Sequence, residues 1–276
     1  METQHILDEV ELKRVQAIEL EMLLEVDRLC RKHGIHYNMV GGTMLGAIRH
    51  GGFIPWDDDA DIAMLRTDYE RFVQICETEL DKERFYFQDI HSTDGYRWGY
   101  GKIRRKGTKF IRLGQEFMPY EQGIFIDIFP MDNVPDGWAQ RLLHRFQCFV
   151  LRKELWSEVG KNNEPSLCKR FIYRLMSRIP RKKLIEKYDT LVDKYRDQTT
   201  EMVRILTFPA PKGTCGFYRK WYEEHADYFF EDNMLEGPAD YEGWLTYKFG
   251  NYLELPPSNQ QKTHPVSRIE LPEEVH

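Results

Sequence analysis

Between the apolar residues Phe53, Ile54 and Trp56 and the run Ile62-Ala63-Met64, the chain places Asp57-Asp58-Asp59-Ala60-Asp61, four carboxylates in five positions. Like charges this close repel, and the apolar flanks draw the segment toward the interior. In a strand, residues i and i+2 share a face, so Asp59 and Asp61 are expected side by side, with Ala60 and Ile62 turned into the core. Two adjacent carboxylates are costly unless a cation lies between them. Mg²⁺ takes oxygen ligands, often one or two carboxylates together with substrate phosphates. Asp57 and Asp58 alone read as a solvated acidic turn. An EF-hand is excluded, because Ile62 stands where that loop requires glycine and Asp68 where it requires glutamate.

Gly123–Phe129 (GIFIDIF) reads as a buried strand with a single charge, Asp127, at its centre. A lone charge among large apolar neighbours needs a partner, and a third ligand to the same cation is the economical choice. Ahead of the acidic run, Ile35 to Val40 reads as a strand that enters a short helix, Thr43 to His50, through Gly41-Gly42. Free N–H groups and the helix dipole at such a step suit a phosphate, although a tight turn accounts for two glycines equally well. A phosphate cradle beside a carboxylate pair is the equipment of phosphoryl or nucleotidyl transfer.

The remaining pattern gives an α+β fold. Residues 8–33 carry Leu12, Val15, Met22, Val26 and Leu29 near helical spacing, with Gly34 as the cap. Asp59–Met64, Phe85–Ile90, Trp98–Arg104 and Lys109–Leu113 read as strands, and Thr67-x-x-Glu70 as a capping box. Helices are expected at 138–156, 166–178 and 181–197. The break at Pro130–Gly137 divides the chain into an α/β core, 1–135, and a mainly helical region, 136–276, assigned to the acceptor side. The Pro-rich tail from Pro256 is expected to wrap the surface or fray.

A net charge of −6 argues against nucleic acid as a partner. The five cysteines form no C-x-x-C pair, so structural zinc is not expected. No apolar run approaches the ~20 residues of a spanning helix, and Met1–His5 lacks the parts of a signal peptide, so a cytoplasmic location is expected.

At these residues the chain resembles a known family. GGTMLGAIRHGGFIPWDDDADIAM (41–64) is similar to the signature of the LicD/fukutin-related family, within the nucleotidyltransferase-fold superfamily. GKIRRKGT (101–108), FIDIFPMD (125–132) and YKFGNYLELPP (247–257), with His264 downstream, resemble its later blocks. The resemblance implies a nucleotidyltransferase-like mixed sheet flanked by helices, and Mg²⁺ or Mn²⁺. It also implies transfer of a phospho-alcohol such as phosphocholine from a CDP-linked donor, CDP-choline foremost, to a glycan sugar. Carried onto this chain, Asp59, Asp61 and Asp127 become the metal-binding and catalytic carboxylates, and Gly41, Gly42 and Thr43 the phosphate cradle. Lys102 and Arg104 fall on the basic block and would neutralise pyrophosphate, the alternative being a solvated basic strand. His264 is either an acceptor-side proton carrier or structural. Asn251 stands where family members commonly carry an acid, which puts a role for that position in doubt. Trp98, Tyr96 and Tyr100 offer a face for a quaternary ammonium, or else fill the core.

Two other functions fit the same residues: a nucleotidyltransferase releasing pyrophosphate, and a silent scaffold binding glycan or metal. Residues 169–187 hold eight basic side chains against the single acid Glu186, interleaved with Phe171, Ile172 and Leu175. Such a stretch suits an anionic membrane surface at the inner face of the membrane, near a lipid-linked acceptor, or a helix packed on the acidic body.

Overall fold

The computed structural model describes residues 5–272. The first half contains α1 (Glu9–His33), β1 (Asn38–Met39), α2 (Gly41–His50), β2 (Asp61–Leu65), α3 (Arg66–Glu79), β3 (Phe85–Gln88), β4 (Gly101–Arg105), β5 (Lys109–Arg112) and β6 (Phe125–Val134). Then follow α4 (Trp138–Asn163), α5 (Leu167–Met176), α6 (Arg181–Asp193), β7 (Met202–Arg204), β8 (Phe217–Tyr218), β9 (His225–Phe230), β10 (Asn233–Pro238), α7 (Tyr241–Phe249) and β11 (Val266–Glu270).

The sheet is organised around β6, the apolar run containing GIFIDIF. Its order is β1-β2-β6-β4-β3, with β7 added beside β6 and β8 beside β7. β2 and β6 run parallel, so a long crossover is required, and α3 with β3 to β5 supplies it; the other pairings are antiparallel. Alternation along β6 divides its residues between two environments. Ile124, Ile126 and Ile128 are fully buried on one face, where α1 and α3 pack. Phe125, Asp127 and Phe129 turn to the other face, which lines a cleft. Ala60 and Ile62 are buried as the alternation predicts. α1 is held at its start by a reciprocal Asp8–Glu11 capping box and stopped by Gly34 in the left-handed region, φ 59°.

A second core lies between α4, α6 and the 90–120 segment, built from Ile90, Tyr96, Leu151, Leu155, Leu184 and Tyr188 among others. The β9–β10 hairpin packs on α2 and β1. His36 Nδ1 and the Tyr37 N–H both meet Glu236 Oε1 of β10, at 2.9 and 3.2 Å, and fasten the hairpin there.

Several elements differ from the sequence pattern. Thr67 caps nothing: α3 begins at Arg66 directly after β2, with Leu65 at the cap position and no side-chain cap. β4 begins at Gly101, so Trp98 lies in the preceding loop, where a Gly99–Tyr100–Gly101 run interrupts regular pairing. β2 begins at Asp61, leaving Asp59 in the approach to the strand. α6 ends at Asp193, four residues before the expected end, and the chain returns to strands, β7 rejoining the main sheet next to β6, before one further helix, α7. The tail wraps the surface: β11 pairs antiparallel with β5.

His144 on α4 is 1% exposed and packs edge-on against Tyr195 at 5.5 Å. Burial, reinforced by the charges of Arg204 and Lys194, pushes its pKa down to about 4. An unfolded chain protonates this histidine near pH 6.5 and the native state does not, so stability is full above 6.5 and falls as pH drops toward 4. The loss attributable to His144 is expected to reach roughly 3 kcal/mol. Urea denaturation of the parent and His144→Leu from pH 7 to 4 reads it as a stability difference that changes with pH; a pH-independent difference would remove His144 as the cause.

Candidate active site

The open face of the sheet forms the floor of a cleft of about 550 Å³. Register sets its floor. Asp61 of β2 pairs across from Asp127 of β6, and Asp127 pairs across from Lys102 of β4, so the three stand in one row over three strands. The Lys102 ammonium is ion-paired with Asp127 and lies 3.4 Å from the centroid of the Phe125 ring. The partner that Asp127 needs is therefore a lysine, which sequence alternation left unidentified because cross-strand neighbours are invisible in one strand. Burial lifts the Asp127 pKa, opposed by Lys102. Burial also lowers that of Lys102, to about 8. Arg104 is buried too, donating to Gln88 Oε1 and to the Gly123 carbonyl at 2.7 Å each. Neither belongs to a solvated basic strand.

The acidic run divides into two environments. Asp58 is 1% exposed rather than solvated. It accepts from Arg112 Nη1 at 3.1 Å, from the His264 N–H at 2.9 Å and from His264 Nδ1 at 2.8 Å. Burial acts to raise its pKa, but the His264 hydrogen bond and the Arg112 charge outweigh that and hold it low. The same hydrogen bond raises the pKa of His264. Asp59 faces Arg112 Nη2 at 3.4 Å and His264 Nδ1 at 3.5 Å. Asp57 lies on the other side, where burial and the charges of Asp59 and Asp58 push its pKa up to about 8.

Asp61 is the least compensated of the group. Its N–H donates to Thr43 Oγ1 at 2.7 Å, but its carboxylate makes no hydrogen bond or ion pair among the described residues. Enclosure, then the charges of Asp59, Asp127 and Asp57, raise its pKa well above the usual range.

Gly41, Gly42 and Thr43 do not line the cleft. The space beside the glycines is taken by this chain's own acids. A Cβ at Gly41, whose φ is +60°, would lie 2.7 Å from Asp61 Oδ2, and one at Gly42 would collide with the Asp57 carboxylate. The two glycines thus let carboxylates approach the start of α2, whose dipole favours negative charge there.

The walls are aromatic and basic. Trp98 and Trp156 meet at 5.5 Å, Tyr100 and Phe129 at 4.9 Å, Phe129 and Phe208 at 5.5 Å. Tyr96 is fully buried in the second core and donates to the Tyr100 carbonyl, so it is not part of this face. Arg112, Arg152, Lys153 and Trp156 line the cleft without having been singled out in the sequence. For the three on α4 the signal was a basic pair, Arg152-Lys153, with Trp156 one turn further on the same helix. Arg152 makes no hydrogen bond or ion pair among the described residues.

A divalent cation fits this donor set by its chemistry. Asp61 is a crowded carboxylate that the nearby Lys102 charge only partly offsets, and Asp59 lines the same cleft. The oxygens of Asp59, Asp61 and Asp127 are not gathered as tightly as the ligand atoms of His36, His225 and Glu236, which lie within 4.8 Å of one another. Mg²⁺ retains several waters and needs only one or two protein carboxylates beside substrate phosphates, so close convergence is not required.

Residues 34–154 match the family described as LicD/FKTN/FKRP, nucleotidyltransferase domain. The chain is 28% identical over 265 residues to the lipopolysaccharide cholinephosphotransferase LicD of Haemophilus influenzae, covering 92% of this chain and 96% of that one. The ribitol 5-phosphate transferase FKRP of Homo sapiens is 33% identical over 73 residues, 25% of this chain and 15% of FKRP. Both of these relatives are named as transferases. Residues 34–154 thus match the family that the resemblance in the sequence implied.

Removing Lys102 while leaving Asp127 isolates a buried carboxylate. Lys102→Met is expected to cost about 3–5 kcal/mol, and Lys102→Met with Asp127→Leu to recover most of it. Urea titration of both variants checks the pairing; equal losses would show that the two residues are not coupled.

Proposed function

We propose that the cleft transfers a phospho-alcohol, phosphocholine foremost, from a CDP-linked donor to a sugar hydroxyl of a glycan, with release of CMP. The observation that carries this reading is the row Asp61–Asp127–Lys102 beneath aromatic and basic walls. The printed activities of the relatives, cholinephosphotransferase and ribitol 5-phosphate transferase, support the same class of transfer.

Asp59 and Asp61 would hold Mg²⁺ or Mn²⁺, which when bound neutralises pyrophosphate charge. Arg152 and Lys153 reach the cleft from α4 and offset the rest of that charge. The sugar oxygen attacks the β-phosphorus, a new P–O bond forms, the bond to the CMP oxygen breaks, and one proton leaves the hydroxyl. Asp127 is placed to accept it. Burial makes Asp127 a stronger base than a free carboxylate, and Lys102 holds its orientation. Trp98, Trp156 and Tyr100 present ring faces to a trimethylammonium group. His264, tied to Asp58, positions the acidic segment.

Asp61→Asn is expected to lower turnover by a factor on the order of 10² or more. Because it removes a carboxylate crowded by other carboxylates, it is also expected to raise the melting temperature of the metal-free protein. CMP formation from CDP-choline, Mg²⁺ and a glycan acceptor, read with calorimetry on the same variant, tests both. Pyrophosphate release from a nucleoside triphosphate, with no CMP from any CDP-alcohol, would overturn the assignment.

The aromatic wall makes a selective prediction. Trp98→Leu is expected to weaken CDP-choline binding roughly three- to thirtyfold and leave CDP-glycerol nearly unchanged. Equal weakening of both donors, measured by titration calorimetry, would assign Trp98 to packing.

A further inference from the structure

Helix α4 is apolar on two opposite faces. His144, Cys148, Leu151 and Leu155 are buried on one. On the other, Trp138, Leu142, Phe146 and Phe149 recur at helical spacing, and the first three are 82%, 63% and 63% exposed. Gly160 lies three turns beyond Phe149 on the same face, and there the Tyr173 ring of α5 covers it. α5 therefore shields the later half of this face and leaves the earlier half bare. α5 repeats the pattern: Tyr173 points inward, while Leu167, Phe171 and Leu175, four residues apart, are exposed opposite it. The exposed apolar side chains of the two packed helices belong to neither hydrophobic core.

Its surroundings are cationic. Arg145, Arg174, Arg178, Lys182 and Lys183 are exposed and make no ion pair among the described residues. A chain with net charge −6 thus carries unpaired positive charge along the same helices as these exposed apolar side chains. Among the described residues no helix is long and apolar enough to cross a membrane.

We propose that this α4–α5 face docks peripherally on an anionic lipid bilayer, the rings and aliphatic side chains entering the headgroup boundary and the arginines and lysines meeting lipid phosphates. Apolar area and electrostatic attraction act together in such binding, so each is separately removable. The alternative of packing on the acidic body does not describe this face, because its side chains are exposed. The surface is carried by residues outside the cleft, and the inference stands apart from the reaction proposed above.

The full chain is mixed with vesicles of phosphatidylcholine alone or rich in phosphatidylglycerol and sedimented. Binding is expected only to the phosphatidylglycerol vesicles, and to weaken as salt rises. Phe146→Ser with Phe171→Ser, and separately Arg174→Glu with Arg178→Glu, are each expected to weaken binding on the order of tenfold or more. All four positions are exposed, so unchanged melting temperatures confirm that the variants fold. Failure of the parent to bind, or equal binding by the parent and both variants, overturns the proposal. So does light scattering that finds a parent dimer dissociated by the serine variant, which would assign the face to a second copy of the chain.

Discussion

The ion pair between Lys102 and Asp127 organises the sheet and the cleft alike. A single lysine, placed across from a single aspartate on the central strand, allows charge to stand in the floor of a sheet otherwise packed with isoleucine and phenylalanine. Taking both charges out of water is costly, and only mutual attraction offsets it. With that pair in place, Asp61 on the adjoining strand is left as a carboxylate whose neighbours are mainly other carboxylates. The fold thus keeps one acid ion-paired and the next only partly compensated within a single row. The walls then add unpaired cationic groups and ring faces from elements far apart in sequence.

Much of this was legible in the chain. The apolar run around Asp127 marks a strand buried on both faces, and the alternation Asp59-Ala60-Asp61-Ile62 assigns acids to one side and small or aliphatic residues to the other. The alternation holds along β6 and at the buried Ala60 and Ile62, although Asp59 lies just ahead of β2 rather than in it. What the sequence could not reveal were relations between strands. Lys102 looks like one basic residue among several until register sets it opposite Asp127. Asp58 looks solvated until β5 and the tail bring Arg112 and His264 to it. Thr67 satisfies the capping motif but does not cap, since β2 passes directly into α3 and leaves no loop in which the motif can act. Trp98 alternates like a strand residue, yet the glycines after it delay pairing until Gly101. α4, α5 and α6 were readable from their periodicity, but α7, of nine residues, and the short strands after Asp193, of two to six residues, gave too little pattern to distinguish from loop.

Glycine at positions 41 and 42 admits two explanations from sequence, close approach of a ligand or a tight turn, and the structure adds a third. The absent β-carbons make room for Asp61 and Asp57 at the positive end of α2. The same step that suggested room for a foreign anion is filled by anions of the chain itself, and a helix dipole favours both. The segment from Gly41 to Asp61 is therefore an electrostatic unit closed on itself, joined further by the Thr43 hydroxyl to the Asp61 amide.

The pairing of β5 with β11 has a consequence for the order in which the molecule comes into being. β5 lies outside the central sheet, and its strand partner is β11, residues 266–270. During synthesis the acidic run is exposed early, whereas His264 and the strand that aligns Arg112 emerge some two hundred residues later. A ribosome-bound chain lacking these last residues carries carboxylates without the counter-charges of the finished protein. Long-range closures of this kind are slow, because chain entropy opposes them until the distant partner arrives. The acidic segment thus reaches its final set of counter-charges only when the β11 strand pairs with β5 and brings His264 to Asp58.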